Sequence, residues 1–310
     1  NLIRRFNSNA QTPDSAITPP SVFVTPSFFD LVYYRFCKVI GMLADRNQNC
    51  TIRLSKDIRY AFKIADPYWN RMLHRQFRYE PEISAALKLI HNIQYTFLDL
   101  GANYGFWSVV TSSAALGPHR AIAVEPVGAN FEMLSRNRTI NSDRFEIFNA
   151  AITENTCGDV EIATSPSSIS NCGASLVSGP VNRSFKHTEM VRSISIDDLV
   201  AQYSCTGMPL VIKLDVEGLE IAALNGAKKT LGQDILIIYE DHGKEESCRV
   251  TDYMLGLGMK IFHGENNRFS PVTNIKQVKE NKKQSSKGYN LFAFKENSIF
   301  SDVFSNSPKY

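Results

Sequence analysis

The sequence predicts an α/β protein: a doubly wound, mostly parallel sheet with helices on both faces, preceded by a helix and hairpin extension. Three observations carry this. Beyond residue 94, apolar runs of strand length alternate with helical stretches, the pattern of parallel strands joined by crossover helices. The first run ends in a carboxylate and a glycine-containing bend, "TFLDLGANYG" at residues 96–105. The bulk numbers agree, since 310 residues at 43% hydrophobic and 21% charged suffice for a large core.

Residues 1–27 are rich in Pro, Ser, Thr and Asn without a hydrophobic period, and read as a flexible lead-in. Residues 28–93 form the extension. There, Phe29, Val32, Phe36, Val39, Ile40 and Leu43 recur at helical spacing, predicting a helix packed on the main domain, or a homodimer contact. "CTIRLSKDIRYAFKI" alternates around a polar turn, as a hairpin does. "EPEISAALKLI" carries a proline and acids where a helix begins.

The main domain, 94–296, has strands expected at 96–100, 121–125, 145–149, 210–214, 235–240 and 291–294. Helices are expected at 105–116, 128–141, 220–231 and 245–257. Residues 153–192, rich in Ser, Asn and Gly, read as an insertion of short strands and loops placed to wall a substrate pocket. The lysine-rich stretch 276–287 reads as a solvated hairpin loop, or as weak steering for a phosphorylated saccharide. Residues 297–310 are a C-terminal tail.

A net charge of +3 is too small to argue for nucleic acid. No apolar run approaches the roughly 18 residues that span a bilayer. Six scattered cysteines without a C-x-x-C pair suggest reduced thiols and a cytoplasmic protein. No secretory signal is visible, and a start at Asn1 without methionine suggests a fragment of a longer chain. The sequons at Asn49, Asn137 and Asn182 read as chance triplets.

Parallel α/β sheets bind ligands at the carboxyl ends of their strands. Gly101 and Gly105 let a backbone bend approach a ligand closely. The spacing D-x-G-x-x-x-G is not the dinucleotide fingerprint, and Asp99 would repel a pyrophosphate. A carboxylate there suits a cationic ligand, such as the amino group of S-adenosylmethionine. The next strand ends in Glu125, 24 residues beyond Gly101, where a ribose diol would be held by accepted hydrogen bonds. A nicotinamide-dependent oxidoreductase is weakened on the same grounds. The cofactor set is Asp99, Gly101, Ala102, Asn103, Gly105, Glu125, Pro126 and Asn130, with Asn149 and Ala150 expected near the adenine.

The motifs "LDLGANYGFWS", "AVEPVGANFEML", "SISIDDL", "IKLDVEGLEIAALNGA" and "IIYEDHG" occur in the order found in FkbM-type S-adenosylmethionine-dependent O-methyltransferases, which the chain resembles from about residue 77 to 294. The resemblance takes in "RYEPEI" and "YNLFAF". It implies a class I methyltransferase sheet of seven strands with the last antiparallel, and methyl transfer to a hydroxyl of a sugar, glycan or other small metabolite. A non-catalytic methyltransferase-fold module, kept for glycan binding or assembly, is the alternative.

At the tip of the fourth strand, Lys213, Asp215 and Glu217 alternate in direction, so some face the pocket. A carboxylate or imidazole within reach of the acceptor hydroxyl can serve as general base, and the candidates are Asp215, Glu217, Glu240 and His242. Lys213 either joins them or pairs with a neighbouring acid. Glu80 and Tyr79 either close over the methionine end of the cofactor or belong to a helix cap. Asp215, Glu240 and His242 offer a minority metal-bound variant resembling magnesium-dependent catechol methyltransferases.

Overall fold

Alternation along each strand sorts side chains to opposite faces of the sheet, and two apolar layers result. On one face Leu98, Leu100, Ile212 and Leu214 meet helical residues such as Leu199, Leu224 and Met254. On the other, Phe97 and Val211 meet Ile83, Leu87, Val109, Phe300 and Phe304. The computed structural model describes residues 36–37, 39–45, 48–74, 77–164, 175–176, 187–241, 248–265, 267–284 and 290–307.

A hairpin of β1 (Asn49–Arg53) and β2 (Arg59–Lys63) leads to helix α1 (Pro81–Leu89). The first half of the main domain is β3 (Thr96–Leu100), α2 (Phe106–Thr111), β4 (Arg120–Val124), α3 (Gly128–Ile140) and β5 (Glu146–Phe148). The insertion contributes β6 (Ala151–Ile152), β7 (Asp159–Thr164), β8 (Ser175–Leu176) and β9 (His187–Ile194), a four-stranded sheet of its own in the order β6-β9-β7-β8. The second half follows as α4 (Ile196–Gln202), β10 (Leu210–Leu214), α5 (Glu220–Asn225), β11 (Ile235–Glu240) and α6 (Arg249–Gly256). It closes with β12 (Met259–Glu265), β13 (Arg268–Val272), α7 (Ile275–Gln284), β14 (Asn290–Lys295) and α8 (Ile299–Ser305).

The main sheet runs β13-β12-β14-β11-β10-β3-β4-β5. β5, β4, β3, β10 and β11 are mutually parallel, and β14 is antiparallel to both β11 and β12. This is the expected doubly wound sheet with an antiparallel final strand, but it has eight strands rather than seven. The eighth, β13, folds back on β12 as a hairpin. The chain steps outward from β3 to β5 and returns on β3's other side at β10, so strand order reverses between β3 and β10, where such sheets open a crevice.

Several other expectations change. The lysine-rich stretch is helical over Ile275–Gln284, with Val278 fully buried against the core and Lys276 in solvent. Amphipathic packing of that one valine overrides the loop reading. The C-terminal stretch forms α8, whose Phe300 and Phe304 are buried. Residues 36–37 and 39–43 are helical, but Phe36, Val39, Met42 and Leu43 are exposed. The buried face is instead Cys37 and Gly41, where a Cβ on Gly41 would lie 3.0 Å from the Ala65 carbonyl oxygen. Only a small-residue face fits that approach.

The hairpin is tied to the main domain by two asparagines one helical turn apart, Asn137 on α3 and Asn141 at its C-cap. Asn137 accepts from the Ala61 N–H at 2.6 Å and donates to the Ala61 and Tyr104 carbonyls. Asn141 brackets the backbone of Arg59 in the same way. A buried amide in this role costs more to remove than an exposed one, because its partners are left unpaired. It also keeps the Asn137 sequon out of solvent. Among the described residues no helix is long and apolar enough to cross a membrane.

Candidate active site

The carboxyl ends of β3, β4, β10 and β11 open into a cleft of about 250 Å³. Parallel pairing puts Lys213 on β10 in register with Asp99 on β3. Both therefore rise on the same face at the strand tips. The Asp99 carboxylate is buried, and its Oδ2 accepts from the Ser108 N–H at 3.1 Å and the Ser108 hydroxyl at 2.7 Å. Burial holds its pKa above the ordinary value, against the pull of Lys213 and Ser108.

The bend between them answers why glycine is needed. Gly101 has φ +81°, and a Cβ there would sit 1.9 Å from the Asp215 carbonyl oxygen. Gly105 has φ +78°, and a Cβ would sit 2.3 Å from Leu134 Cδ1. The glycines make room for the protein's own strand and helix, whatever else they admit. Gly101 lines the cleft; Gly105 faces α3.

Glu125 is also nearly inaccessible. Its Oε1 accepts from the Val127 N–H (3.0 Å) and the Asn130 amide (3.1 Å), and its Oε2 from the Asn103 N–H (2.8 Å). A carboxylate offers about four lone-pair positions, so Oε2 has room for one further donor. Burial pushes this carboxyl up to about 7, with the three donors opposing. Asn103, at φ +52°, meanwhile accepts from the Trp69 indole N–H at 2.9 Å.

Across the cleft, Lys213 Nζ is 2.8 Å from Asp215 Oδ2. Burial works against the ammonium, but Asp215, then Glu80 and Asp99, outweigh it and raise its pKa. Glu217 follows at φ +53° and Gly218 at +97°. A left-handed glutamate costs about 1 kcal/mol or more, and such residues cluster at functional turns. Glu80 is left-handed too, at φ +40°, and makes no capping bond to α1. Its carboxylate instead accepts from the Trp107 indole N–H (2.5 Å) and the Asn290 amide (3.1 Å).

Of the residues singled out from sequence, twelve line this cleft: Glu80, Asp99, Gly101, Ala102, Asn103, Glu125, Pro126, Ala150, Lys213, Asp215, Glu217 and Glu240. Asn130 stands behind Glu125 as a donor. Asn149 does not reach the cleft; its amide donates to the Glu125 and Pro126 carbonyls and braces the tip of β4. His242 lies outside the described residues. The aromatic lining of Tyr68, Trp69, Phe106 and Trp107 is what sequence reasoning missed, whereas Tyr79, paired with Glu80 in the sequence reading, lines the cleft beside them. Isolated aromatics carry no spacing signal. The insertion sheet contributes Ala151, Ile152 and Ile162 to the wall.

The charge balance decides what fits. Six carboxylates line the cleft (Glu80, Asp99, Glu125, Asp215, Glu217, Glu240), and among the described lining residues Lys213 is the one cation. A second anion about 6 Å from one uncompensated carboxylate is opposed by about 3 kcal/mol at an effective dielectric constant of about 20. This set of acceptors therefore suits a cationic, hydroxyl-bearing ligand and repels a pyrophosphate. Among the described residues no group of three or more His, Cys, Asp or Glu side chains is arranged to hold a metal ion.

The family model for the methyltransferase FkbM domain matches residues 99–261. The FkbM methyltransferase structure from Methylobacillus flagellatus KT is 17% identical with a TM-score of 0.39, over 65% of this chain and 44% of that one. The chain thus spans less than half the length of that structure. Precorrin-6y C5,15-methyltransferase from Geobacter metallireducens GS-15 aligns over 69% of this chain and 87% of its own, at 12% identity and a TM-score of 0.36. TYW2 of Pyrococcus horikoshii, solved in complex with MeSAdo, covers 95% of this chain and 98% of its own at 12% identity and a TM-score of 0.38. No curated protein matches the chain.

Proposed function

The chain belongs to the FkbM methyltransferase family, and from that premise we propose that it is an S-adenosylmethionine-dependent O-methyltransferase acting on a hydroxyl of a sugar, glycan or other small metabolite. The observation that carries the reading is the cleft of six carboxylates and one paired ammonium at the point where strand order reverses. When bound, S-adenosylmethionine supplies a methyl group on a positively charged sulfur, which is open to attack by oxygen. Asp99 and the backbone of residues 101–103 would hold its amino-acid end. Glu125, through the open position on Oε2, would take a ribose hydroxyl.

The remaining acids serve the acceptor. Glu217 and Glu240 line the cleft and are assigned to receive the hydroxyl proton as the oxygen gains the methyl group. Asp215 already holds the Lys213 ammonium on Oδ2, so the pair is assigned to fixing the local field rather than moving the proton. Proximity supplies much of the rate in such a transfer, and removing a single acid slows it without ending it. Isothermal titration of S-adenosylmethionine into the protein tests the reading. Saturable binding that disappears in Asp99→Ala supports it, and a wild-type protein with no binding overturns it.

A further inference from the structure

Tyr68 and Trp69 come from the N-terminal extension, Tyr79 from the turn before α1, and Phe106 and Trp107 from the first turn of α2. The first three lie outside the family match, which begins at residue 99. The five rings form one cluster, in which Tyr68, Tyr79 and Phe106 are partly exposed and Trp69 and Trp107 are buried behind them. Trp69 and Tyr79 have centroids 5.0 Å apart, Tyr79 and Phe106 4.9 Å, and Tyr68 and Trp69 5.1 Å.

Their hydrogen-bonding edges are turned into the protein. The Trp69 indole donates to Asn103, the Trp107 indole to Glu80, and the Tyr68 hydroxyl to the Tyr79 hydroxyl. What they add to the cleft is therefore aromatic surface, opposite acids that accept hydrogen bonds. Lys213, the cation among the described lining residues, is already paired with Asp215.

We propose that this aromatic wall, supplied largely by the N-terminal extension, receives the acceptor as an uncharged, hydroxyl-rich ring stacked by its C–H face, and excludes acceptors that carry phosphate or carboxylate. The inference rests on the methyltransferase reading and narrows its substrate class. A saccharide ring presents an apolar C–H face for an aromatic surface and several hydroxyl donors around its edge. Those donors match a site rich in carboxylate acceptors. An anionic ring would stack equally well but would face the excess negative charge with no unpaired ammonium among the described lining residues to receive it.

The chain contains two tryptophans, Trp69 and Trp107, and both are buried against the cleft, so intrinsic fluorescence reports changes in its aromatic wall. The full chain is first titrated with S-adenosylhomocysteine. The saturated protein is then titrated with methyl glycosides of glucose, galactose and mannose, with the matching hexose 6-phosphates and uronates, and with catechol. The expected result is a saturable emission change with at least one neutral glycoside, binding at least tenfold tighter than its anionic counterparts and than catechol.

Tyr68→Leu and Tyr79→Leu should each weaken the glycoside at least fivefold, and Tyr79→Phe should restore most of it. Equal or tighter binding of an anionic ring, preference for catechol, no response to any neutral glycoside, or indifference to both leucine variants would overturn the proposal. Failure of the wild-type protein to bind S-adenosylhomocysteine in the first titration would instead remove the methyltransferase reading beneath it.

Discussion

The two walls of the cleft are built on different principles. The wall at the tips of β3 and β4 is made of backbone bends and carboxylates held by their own immediate neighbours: Asp99 by Ser108, Glu125 by Val127 and Asn130, Gly101 by the strand beside it. The wall of Tyr68, Trp69 and Tyr79 is made of side chains brought there by long-range docking, through Asn137 and Asn141 gripping β2. A wall fixed locally keeps its shape with the sheet. A wall docked from elsewhere depends on the contacts that carry it.

The largest effect should fall on the first wall. Gly101→Ala places a Cβ against the Asp215 carbonyl at a positive φ, and backbone on both sides leaves little room to yield. The expected loss is about 3 kcal/mol in denaturant unfolding. Gly158→Ala is the control, since Gly158 also has positive φ (+89°) but nothing within 4 Å, and should lose only about 1 kcal/mol. Equal losses would mean that strain, not close packing, sets the requirement.

Asn137→Ala attacks the second wall. It leaves the backbone of Ala61 and the Tyr104 carbonyl without their partner, a loss of about 2–3 kcal/mol. Tryptophan emission should shift to the red as Trp69 is released, while the titration of S-adenosylmethionine changes little. A loss of cofactor binding equal to that of an Asp99 variant would show the two walls to be one unit.

These differences explain what could be read in advance. The strand order and the acids at the strand tips follow from local pattern: an apolar run, then Asp99 or Glu125, then glycine or proline. Lys213 and Asp215 were found for the same reason. Asn149 is less legible because an amide at a strand tip can turn to a ligand or to a backbone, and here it donates to the Glu125 and Pro126 carbonyls. The aromatic wall is not legible in sequence because Trp69 meets Phe106 only through the docking of the extension. The eighth strand escaped notice because Arg268–Val272 contains Pro271, which argues against a central strand but is compatible with an edge.

Within the first wall the two acids should differ in degree. Asp99→Asn keeps an acceptor for Ser108 but loses the charge, and should weaken S-adenosylmethionine by roughly 30-fold, about 2 kcal/mol, in calorimetry. S-adenosylhomocysteine retains the amino group, so it should weaken comparably. If only the sulfonium form is affected, Asp99 addresses the sulfur rather than the amino group.

Glu125 supplies a pH dependence. Its folded-state pKa of about 7 is raised above the unfolded value, so its contribution to stability is present below about 4.5 and is lost as pH rises through about 7. Cofactor binding runs the other way, because a ribose hydroxyl donates to the ionised form. Affinity should fall about tenfold per unit below pH 7 and level off above it. Glu125→Gln should bind more weakly and flatten that slope. An unchanged slope in the variant would move the titrating group elsewhere in the cleft.

The smallest effect should come from a region outside both walls. From sequence the lysines of α7 read as a solvated hairpin loop, or as weak steering for a phosphorylated saccharide. In the fold this helix packs by Val278, and Lys276 stands in solvent 4.0 Å from Glu280, an exposed pair of the kind worth a few tenths of a kcal/mol. Steering by such charges is screened within about 8 Å at physiological salt. Lys276→Glu should therefore alter methyl transfer to a neutral glycoside by less than twofold, with no growth of the difference from 150 to 20 mM salt. A larger effect that grows as salt is removed would mean that α7 guides a charged acceptor, and would count against the uncharged ring assigned to the aromatic wall.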